Sequence, residues 1–386
     1  MINSITKVKF FSKNLIKKIF VFFIFFNLFF LITTSINADS TDRFVPVKYI
    51  DTVAVSAIVV DLNSDRIFWS KNPDMLLYPA SLTKMLTAIT AIENIDDLSK
   101  KVKISKNASG INHSSFRFRK GDEISLNDLL KAALISSHNN ATIALAEYVC
   151  ENEKDFIDLM NKKALEIGAK NTYFQTTNGL DSDFPNHKTT ASDLIKITKY
   201  CLKNDLFRKI VATKTDIILI NDKEIELKNT NALLEYDYIK GVKTGYTLNA
   251  GFCLVTYAQK DGLELLAVAL KSSPYGKNYD SLRLINWVYD NYKKVKIVDS
   301  KKIIESVYIK DESGELKIDL YPQKDYESFL SISEDKYLIN YEIDKDISLP
   351  IKGKSVFGNL DVYINGVFME KINIIADKNI EIAIDK

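Results

Sequence analysis

The amino-acid sequence predicts two folded units: an α/β (α+β) domain with helices around a central antiparallel sheet, then a small C-terminal all-β sandwich domain. Three observations carry this. At 386 residues, 46% hydrophobic and 26% charged, the chain is long enough to bury two cores. Helix-like apolar runs lead into two strand-like runs, 251–258 and 263–271, which Asp261-Gly262 turns into antiparallel neighbours of one sheet. From about Val298 the helical pattern stops, and short β-rich segments follow at 303–309, 315–320, 328–332, 337–343, 359–364 and 371–375, separated by Asp, Gly and Asn turns. The expected divisions are 1–38, 39–297 and 298–386.

Residues 1–38 read as a targeting segment. Five lysines (Lys7, Lys9, Lys13, Lys17, Lys18) and no acid accompany an apolar run at 19–32 that only Asn27 interrupts, and Ile36-Asn37-Ala38 suits cleavage. Export with cleavage after Ala38 is expected; an uncleaved membrane anchor is the alternative, although a span needs about 20 apolar residues. The whole chain has 52 basic and 50 acidic residues, and without those five lysines 47 remain against 50. A balance so near zero gives no support for a nucleic-acid or membrane-surface role driven by charge. Cys150, Cys201 and Cys253 lie in apolar runs and read as core residues rather than a disulfide framework or zinc site. His113, His138 and His187 form no His-Glu-x-x-His pattern, so neither a metal nor a cofactor is expected.

In chain order, 54–61 and 66–70 read as a hairpin around Asn63-Ser64. Pro79 then suits the start of a helix that carries Ala80-Ser81-Leu82-Thr83-Lys84 into the apolar run beginning at Met85. On a helix Ser81 and Lys84, at i and i+3, share a face. A hydroxyl beside an amine is a candidate nucleophile and base, provided that burial or a neighbouring cation drives the amine towards neutrality. Helix capping by Ser81 is the plainer alternative. Short polar pieces follow, with turn formers at 105–112 and a solvated basic loop containing Arg117, Arg119 and Lys120.

Ser125, with Asp128 three residues on, starts a helix that breaks at Ser136-Ser137-His138-Asn139-Asn140 before an apolar helix at 141–150. Polar groups between two buried helices need partners, because each left unsatisfied costs about 1–3 kcal/mol. They bond to backbone or line a cleft. A helix at 155–167 stops at Gly168, 175–187 is irregular, and a further helix spans 192–202. Segments 217–220 and 224–227 form a hairpin about Asn221-Asp222, and a last helix covers 280–292.

Three polar islands stand out in order: Ser81-x-x-Lys84, Ser137-His138-Asn139 and Lys243-Thr244-Gly245. Each alone could cap a helix or precede a strand; together they form the motif set of penicillin-binding proteins and serine β-lactamases. The chain closely resembles the low-molecular-weight penicillin-binding proteins that are serine-type D-alanyl-D-alanine carboxypeptidases, peptidase family S11. The matching stretches are 79–85, Asn178-Gly179-Leu180, 229–234, 241–247, 250–255 and Asn286-Trp287, within 53–292. Gly358-Asn359-Leu360-Asp361-Val362-Tyr363 is a looser match in the tail.

The resemblance implies a β-lactamase/penicillin-binding-protein-like catalytic domain in an exported cell-envelope enzyme. It implies a peptidoglycan stem peptide ending in D-Ala-D-Ala as substrate, and β-lactam antibiotics as covalent inhibitors. Ser81 would be the nucleophile and Lys84 the base, Ser137 a proton relay, and Asn139 a holder of the substrate amide and Lys84. The backbone N–H groups of Ser81 and Tyr246 would form the oxyanion hole. Lys243 and Thr244 would bind the terminal carboxylate, and Gly245 would let the substrate approach.

Several features depart from the family pattern. His138 stands where glycine or aspartate is common and reads as a wall residue. Lys277 occupies about the place of an arginine ahead of the last helix and lacks its bidentate fork. The relatives' terminal amphipathic helix is replaced by a strand-like segment at 379–384, which leaves any membrane association to the N-terminal segment. The rival readings are a β-lactamase using Glu166, a D,D-endopeptidase with the same site, and a noncatalytic envelope-binding protein.

Overall fold

The structure, a computed structural model, describes residues 50–110, 116–311, 314–344, 351 and 353–376. The targeting segment, His113, the end of the turn-rich stretch at 111–112 and the segment at 379–384 lie outside the described residues. The chain divides into two compact units between Asn291 and Tyr292.

The first unit contains strands β1 (Ser56–Asp61) and β2 (Ile67–Lys71), helix α1 (Thr83–Glu93), and strands β3 (Lys101–Lys103) and β4 (Glu123–Ser125). Helices α2 (Leu126–Leu134), α3 (Asn139–Cys150), α4 (Glu153–Ile167), α5 (Ala191–Cys201) and α6 (Asp205–Ala212) follow. Strands β5 (Thr215–Ile220), β6 (Lys223–Lys228), β7 (Ile239–Thr247), β8 (Gly251–Lys260) and β9 (Leu263–Ser272) lead to helix α7 (Gly276–Asn291).

The central sheet is antiparallel in the order β2-β1-β9-β8-β7, which leaves β7 at an edge. Its middle hairpin turns at Asp261-Gly262, both with positive φ (51° and 78°), as a two-residue turn of this hand requires. Every residue of β1 is buried, so the sheet is covered on both faces. Ile58, Val60, Leu266 and Val268 join the helical core containing Met85, Leu86 and Leu129. The alternate residues Ala57, Val59, Leu265 and Ala267 face the other way, and α7 packs on that sheet at β8 and β9.

A second sheet, β3-β4-β5-β6, carries the hairpin at Asn221-Asp222 with φ of 49° and 62°. The three-residue strands β3 and β4 are too short to show alternation in sequence. Helix α6 has eight residues, yet Phe207, Ile210 and Val211 form a buried stripe.

Local chemistry explains the helix ends. Ser125 Oγ accepts the Asp128 N–H at 3.0 Å, Asn152 Oδ1 accepts that of Asp155 at 2.9 Å, and Thr190 Oγ1 that of Asp193 at 3.0 Å. Such caps contribute about 1 kcal/mol each. Gly168 ends α4 with φ of 87°. The three cysteines are free; Cys201 and Cys253 are buried, whereas Cys150 is half-buried at the end of α3.

The second unit contains β10 (Tyr292–Val298), β11 (Glu305–Asp311), β12 (Gly314–Pro322), β13 (Tyr326–Ser331), β14 (Tyr337–Ile343), β15 (Val356–Ile364) and β16 (Val367–Ala376). A five-stranded sheet, β11-β12-β16-β15-β14, and the β10-β13 ribbon share one core. Val298 and Leu330 from the ribbon meet Leu320, Leu360, Val362 and Ile374 from the sheet, giving the expected all-β sandwich. Strand β10 is a departure, because its lysine-rich run follows directly on α7 and carries no turn signal. Among the described residues no helix is long and apolar enough to cross a membrane.

Candidate active site

The site is built where the start of α1 meets the edge strand β7. Ser81 lies in a 3-10 turn, Ala80–Leu82, rather than in the regular helix expected, and α1 follows it. Pro79 precedes the turn and no side chain caps it, so Ser81 is not a helix cap. Its reach to Lys84 nevertheless holds: Lys84 Nζ is 2.7 Å from Ser81 Oγ.

Two glycines let other segments touch this turn. A Cβ on Gly245 of β7 would lie 3.0 Å from Pro79 O and 3.1 Å from Ser81 N. A Cβ on Gly179 would lie 1.9 Å from Ala80 O, and its φ of +89° is one that side chains disfavour. Only glycine admits the Gly179 approach.

Lys84 is fully buried and meets three oxygens at 2.7 Å each: Ser81 Oγ, Asn139 Oδ1 and the backbone carbonyl of Asn178. Two are carbonyl oxygens and can only accept. Burial, and then the charge of Lys243, hold the Lys84 amine well below its ordinary pKa. A neutral amine suits the same three contacts, with two N–H bonds to the carbonyls and its lone pair towards Ser81 O–H.

The second island enters through a tight turn between α2 and α3. Ser137 has φ of 61°, the His138 N–H donates to Ala132 O at 2.9 Å, and Asn139 opens α3. Asn139 thereby reaches Lys84. Ser137 is half-buried and is not among the three partners of Lys84, although it stands two residues from one of them.

Lys243, Thr244, Gly245 and Tyr246 lie along β7, not in a turn. Lys243 is 1% exposed, donates to Thr244 O at 3.0 Å, and is lowered by burial to about 7. Thr244 Oγ1 is 2.6 Å from Thr230 Oγ1. The Tyr246 ring, half exposed, stacks on Phe252 of β8 at 4.3 Å. The Thr247 and Asn249 side chains donate to the Asp181 carboxylate at 2.6 and 3.2 Å, tying the end of β7 to the loop that carries Asn178.

The family model described as D-alanyl-D-alanine carboxypeptidase, peptidase S11, matches residues 43–273, more than half of the chain. D-alanyl-D-alanine carboxypeptidase DacF of Bacillus subtilis is 30% identical over 338 residues, covering 85% of this chain and 86% of the relative. The chain belongs to the peptidase S11 family.

Other comparisons agree with this S11 assignment. The D-alanyl-D-alanine endopeptidase of Escherichia coli is 31% identical over 239 residues, 60% of this chain and 76% of the relative. Penicillin binding protein 5 from Haemophilus influenzae has the same fold, with a TM-score of 0.66 and 27% identity over 87% of this chain and 100% of that one.

The His138 ring is buried between Phe116 and Phe118, with centroids at 4.2 and 4.4 Å, and its Nε2 bonds to Phe116 O at 2.9 Å. Burial lowers it to about 4, so it is a neutral wall. Lys277 lies inside the first turn of α7 rather than ahead of it, half-buried, with its amine donating to Asn278 Oδ1 at 3.0 Å. Glu166 pairs with Lys163 at 3.1 Å on α4 and is half exposed.

Sequence reasoning missed the Asn178 carbonyl because a backbone acceptor has no residue signature. Thr230 falls within the matching stretch 229–234, yet a lone threonine carries no sign of its contact with Thr244. Among the described residues no group of three or more His, Cys, Asp or Glu side chains is placed to hold a metal ion.

Proposed function

We propose that this S11 chain removes the terminal D-alanine from peptidoglycan stem peptides through a Ser81 acyl-enzyme, and that β-lactams acylate the same hydroxyl. The observation that carries this reading is the 2.7 Å contact between Ser81 Oγ and a buried Lys84 whose other two partners are carbonyl oxygens. A lysine held in this way has its lone pair available for one proton, that of Ser81.

Lys84 accepts that proton as Oγ attacks the carbonyl between the two D-alanines. The oxyanion lies between the Ser81 and Tyr246 N–H groups, and losing one such donor costs about 2.7–4 kcal/mol in comparable sites. The C–N bond then breaks. The proton passes from Lys84 through Ser137 to the leaving amine, and D-alanine departs. Water hydrolyses the Ser81 ester, and Asn139 holds the substrate amide throughout. Lys243 and Thr244 bind the terminal carboxylate, and an anion there raises the lysine above its unliganded value of about 7. Gly245 lets the Ser81 turn lie close against β7, and because β7 is an edge strand the peptide can pair with it as an added strand.

Residues 1–38 serve as the export signal, 39–297 as the catalytic domain and 298–386 as a β-rich accessory domain. The enzyme acts in the cell envelope, and membrane association, before cleavage, belongs to the N-terminal segment. The relative that spans most of this chain is named a carboxypeptidase, whereas the endopeptidase match covers 60% of it, which favours carboxypeptidase activity. The Glu166–Lys163 pair gives no support to a β-lactamase base.

Intact mass after penicillin exposure tests the assignment, alongside release of D-alanine from a D-Ala-D-Ala pentapeptide. The wild type should gain one slowly lost adduct and Ser81→Ala none. An adduct on Ser81→Ala, or rapid penicillin turnover by the wild type, would sink it.

A further inference from the structure

Outside these motif residues, one buried histidine is bonded back to the nucleophile turn. His187 closes the irregular loop at 175–187, is fully buried and stacks on Phe174 at 5.0 Å. Its Nδ1 accepts the Gln175 N–H at 2.8 Å, so the neutral ring carries its proton on Nε2. Nε2 is 2.9 Å from Thr83 Oγ1, and Thr83 Oγ1 is 2.9 Å from Ala80 O. Only one direction fits: His187 donates to Thr83, and Thr83 donates to Ala80 O.

Ala80 O belongs to the peptide whose N–H is that of Ser81. Ala80 has φ of 50°, a conformation disfavoured for a residue with a Cβ, so the turn that includes this peptide is held by contacts from outside it. Gly179, from the same loop, packs against Ala80 O, Ala80 C and Ser81 N. The loop therefore grips one peptide plane twice, by van der Waals contact at Gly179 and by hydrogen bonds running from His187.

We propose that His187 is a positioning residue for acyl transfer, acting through Thr83 to fix the Ala80–Ser81 peptide and thus the direction of the Ser81 N–H in the oxyanion hole. This rests on Ser81 being the nucleophile. Burial lowers His187 to about 3, which keeps the ring in its neutral, donating tautomer at ordinary pH.

The test uses Thr83→Val, which keeps shape and loses the hydroxyl, Thr83→Ser, which restores it, and His187→Ala with His187→Gln, whose amide can donate in place of Nε2. Active sites are counted by labelled penicillin, so molecules that fail to fold are not scored, and the adduct is mapped by peptide mass. Thr83→Val and His187→Ala should lower kcat per titrated site about tenfold, less than full loss of an oxyanion donor, with KM within about twofold. Thr83→Ser and His187→Gln should recover most of the rate. An unchanged kcat per site in Thr83→Val, a loss that Thr83→Ser does not recover, or a KM that rises in step would overturn the proposal. Failure of the Ser81 assignment would show separately, as an adduct mapped to another residue.

Discussion

Asn139 Oδ1 stands 2.7 Å from Lys84 Nζ, across a gap of 55 residues in the chain. An amide at this place accepts a hydrogen bond without adding charge. It holds the lysine while leaving intact the burial and the Lys243 repulsion that lower its pKa.

Asn139→Asp should reverse that balance. A carboxylate at contact distance favours the ammonium form and raises the Lys84 pKa. A base that must be neutral to act then needs a higher pH, so the acid limb of the kcat/KM profile should move upward and neutral-pH activity should fall at least tenfold. Steady-state rates from pH 5 to 10 would show this; an acid limb in the same place would mean that Lys84 is not the titrating base.

Lys84→Met should lower penicillin acylation by about 10²–10⁴-fold, the usual contribution of a positioned general base. In the wild type, kcat/KM should rise as Lys84 loses its proton and fall as Lys243, lowered to about 7 by burial, loses its own. Burial lowers both amines and the Lys243 charge lowers Lys84 further, so the first proton should leave Lys84 and the second Lys243. Lys243→Arg, which stays charged, should flatten the alkaline limb. Stopped-flow acylation with a chromogenic β-lactam across pH is the measurement.

Gly179 and Gly168 make a controlled pair, with φ of +89° and +87°. A Cβ on Gly168 meets nothing within 4 Å, whereas one on Gly179 would lie 1.9 Å from Ala80 O. Gly168→Ala should cost about 1 kcal/mol, the price of the left-handed conformation alone. Gly179→Ala should lower Tm further and lose penicillin reactivity, since the displaced atoms belong to the turn that carries Ser81. Equal Tm shifts with full penicillin labelling of both would contradict the packing argument.

The main elements were legible because their signals are local. Asp261-Gly262 marks a turn, Ser125 with Asp128 marks a helix start, and the three islands keep a fixed order. Strand β10 was missed because Tyr-Lys-Lys-Val-Lys-Ile-Val runs on from a helix without a break. The site showed the same division. Ser81 and Lys84 are three residues apart, but the His187–Thr83 contact spans 104 residues and depends on how the 175–187 loop folds back. The 3-10 geometry of the Ser81 turn was equally hidden, since the segments packed against it, at Gly179 and Gly245, are distant in the chain.

Burying Lys243 should cost stability in a pH-dependent way. Its folded-state pKa of about 7 lies below the ordinary 10.5. Between these values the unfolded chain binds a proton that the folded chain does not, so stability gains from this group as pH rises through that window. Below pH 7 the amine is protonated in both states, and the full cost of burying the charge remains. Lys84 acts in the same direction. Tyr257 and Tyr289, whose hydroxyls burial holds protonated, oppose the trend only from about pH 10 upward, where an unfolded tyrosine ionises. Lys243→Met should therefore be more stable than the wild type at pH 7, by about 0.5–2 kcal/mol, the range of a single stabilising substitution. That advantage should shrink between pH 7 and 9.5, while carboxypeptidase activity falls. Urea unfolding of both proteins at pH 7, 8 and 9.5 reads the difference directly. A gap that stays constant with pH would show that Lys243 keeps an ordinary pKa in the folded chain.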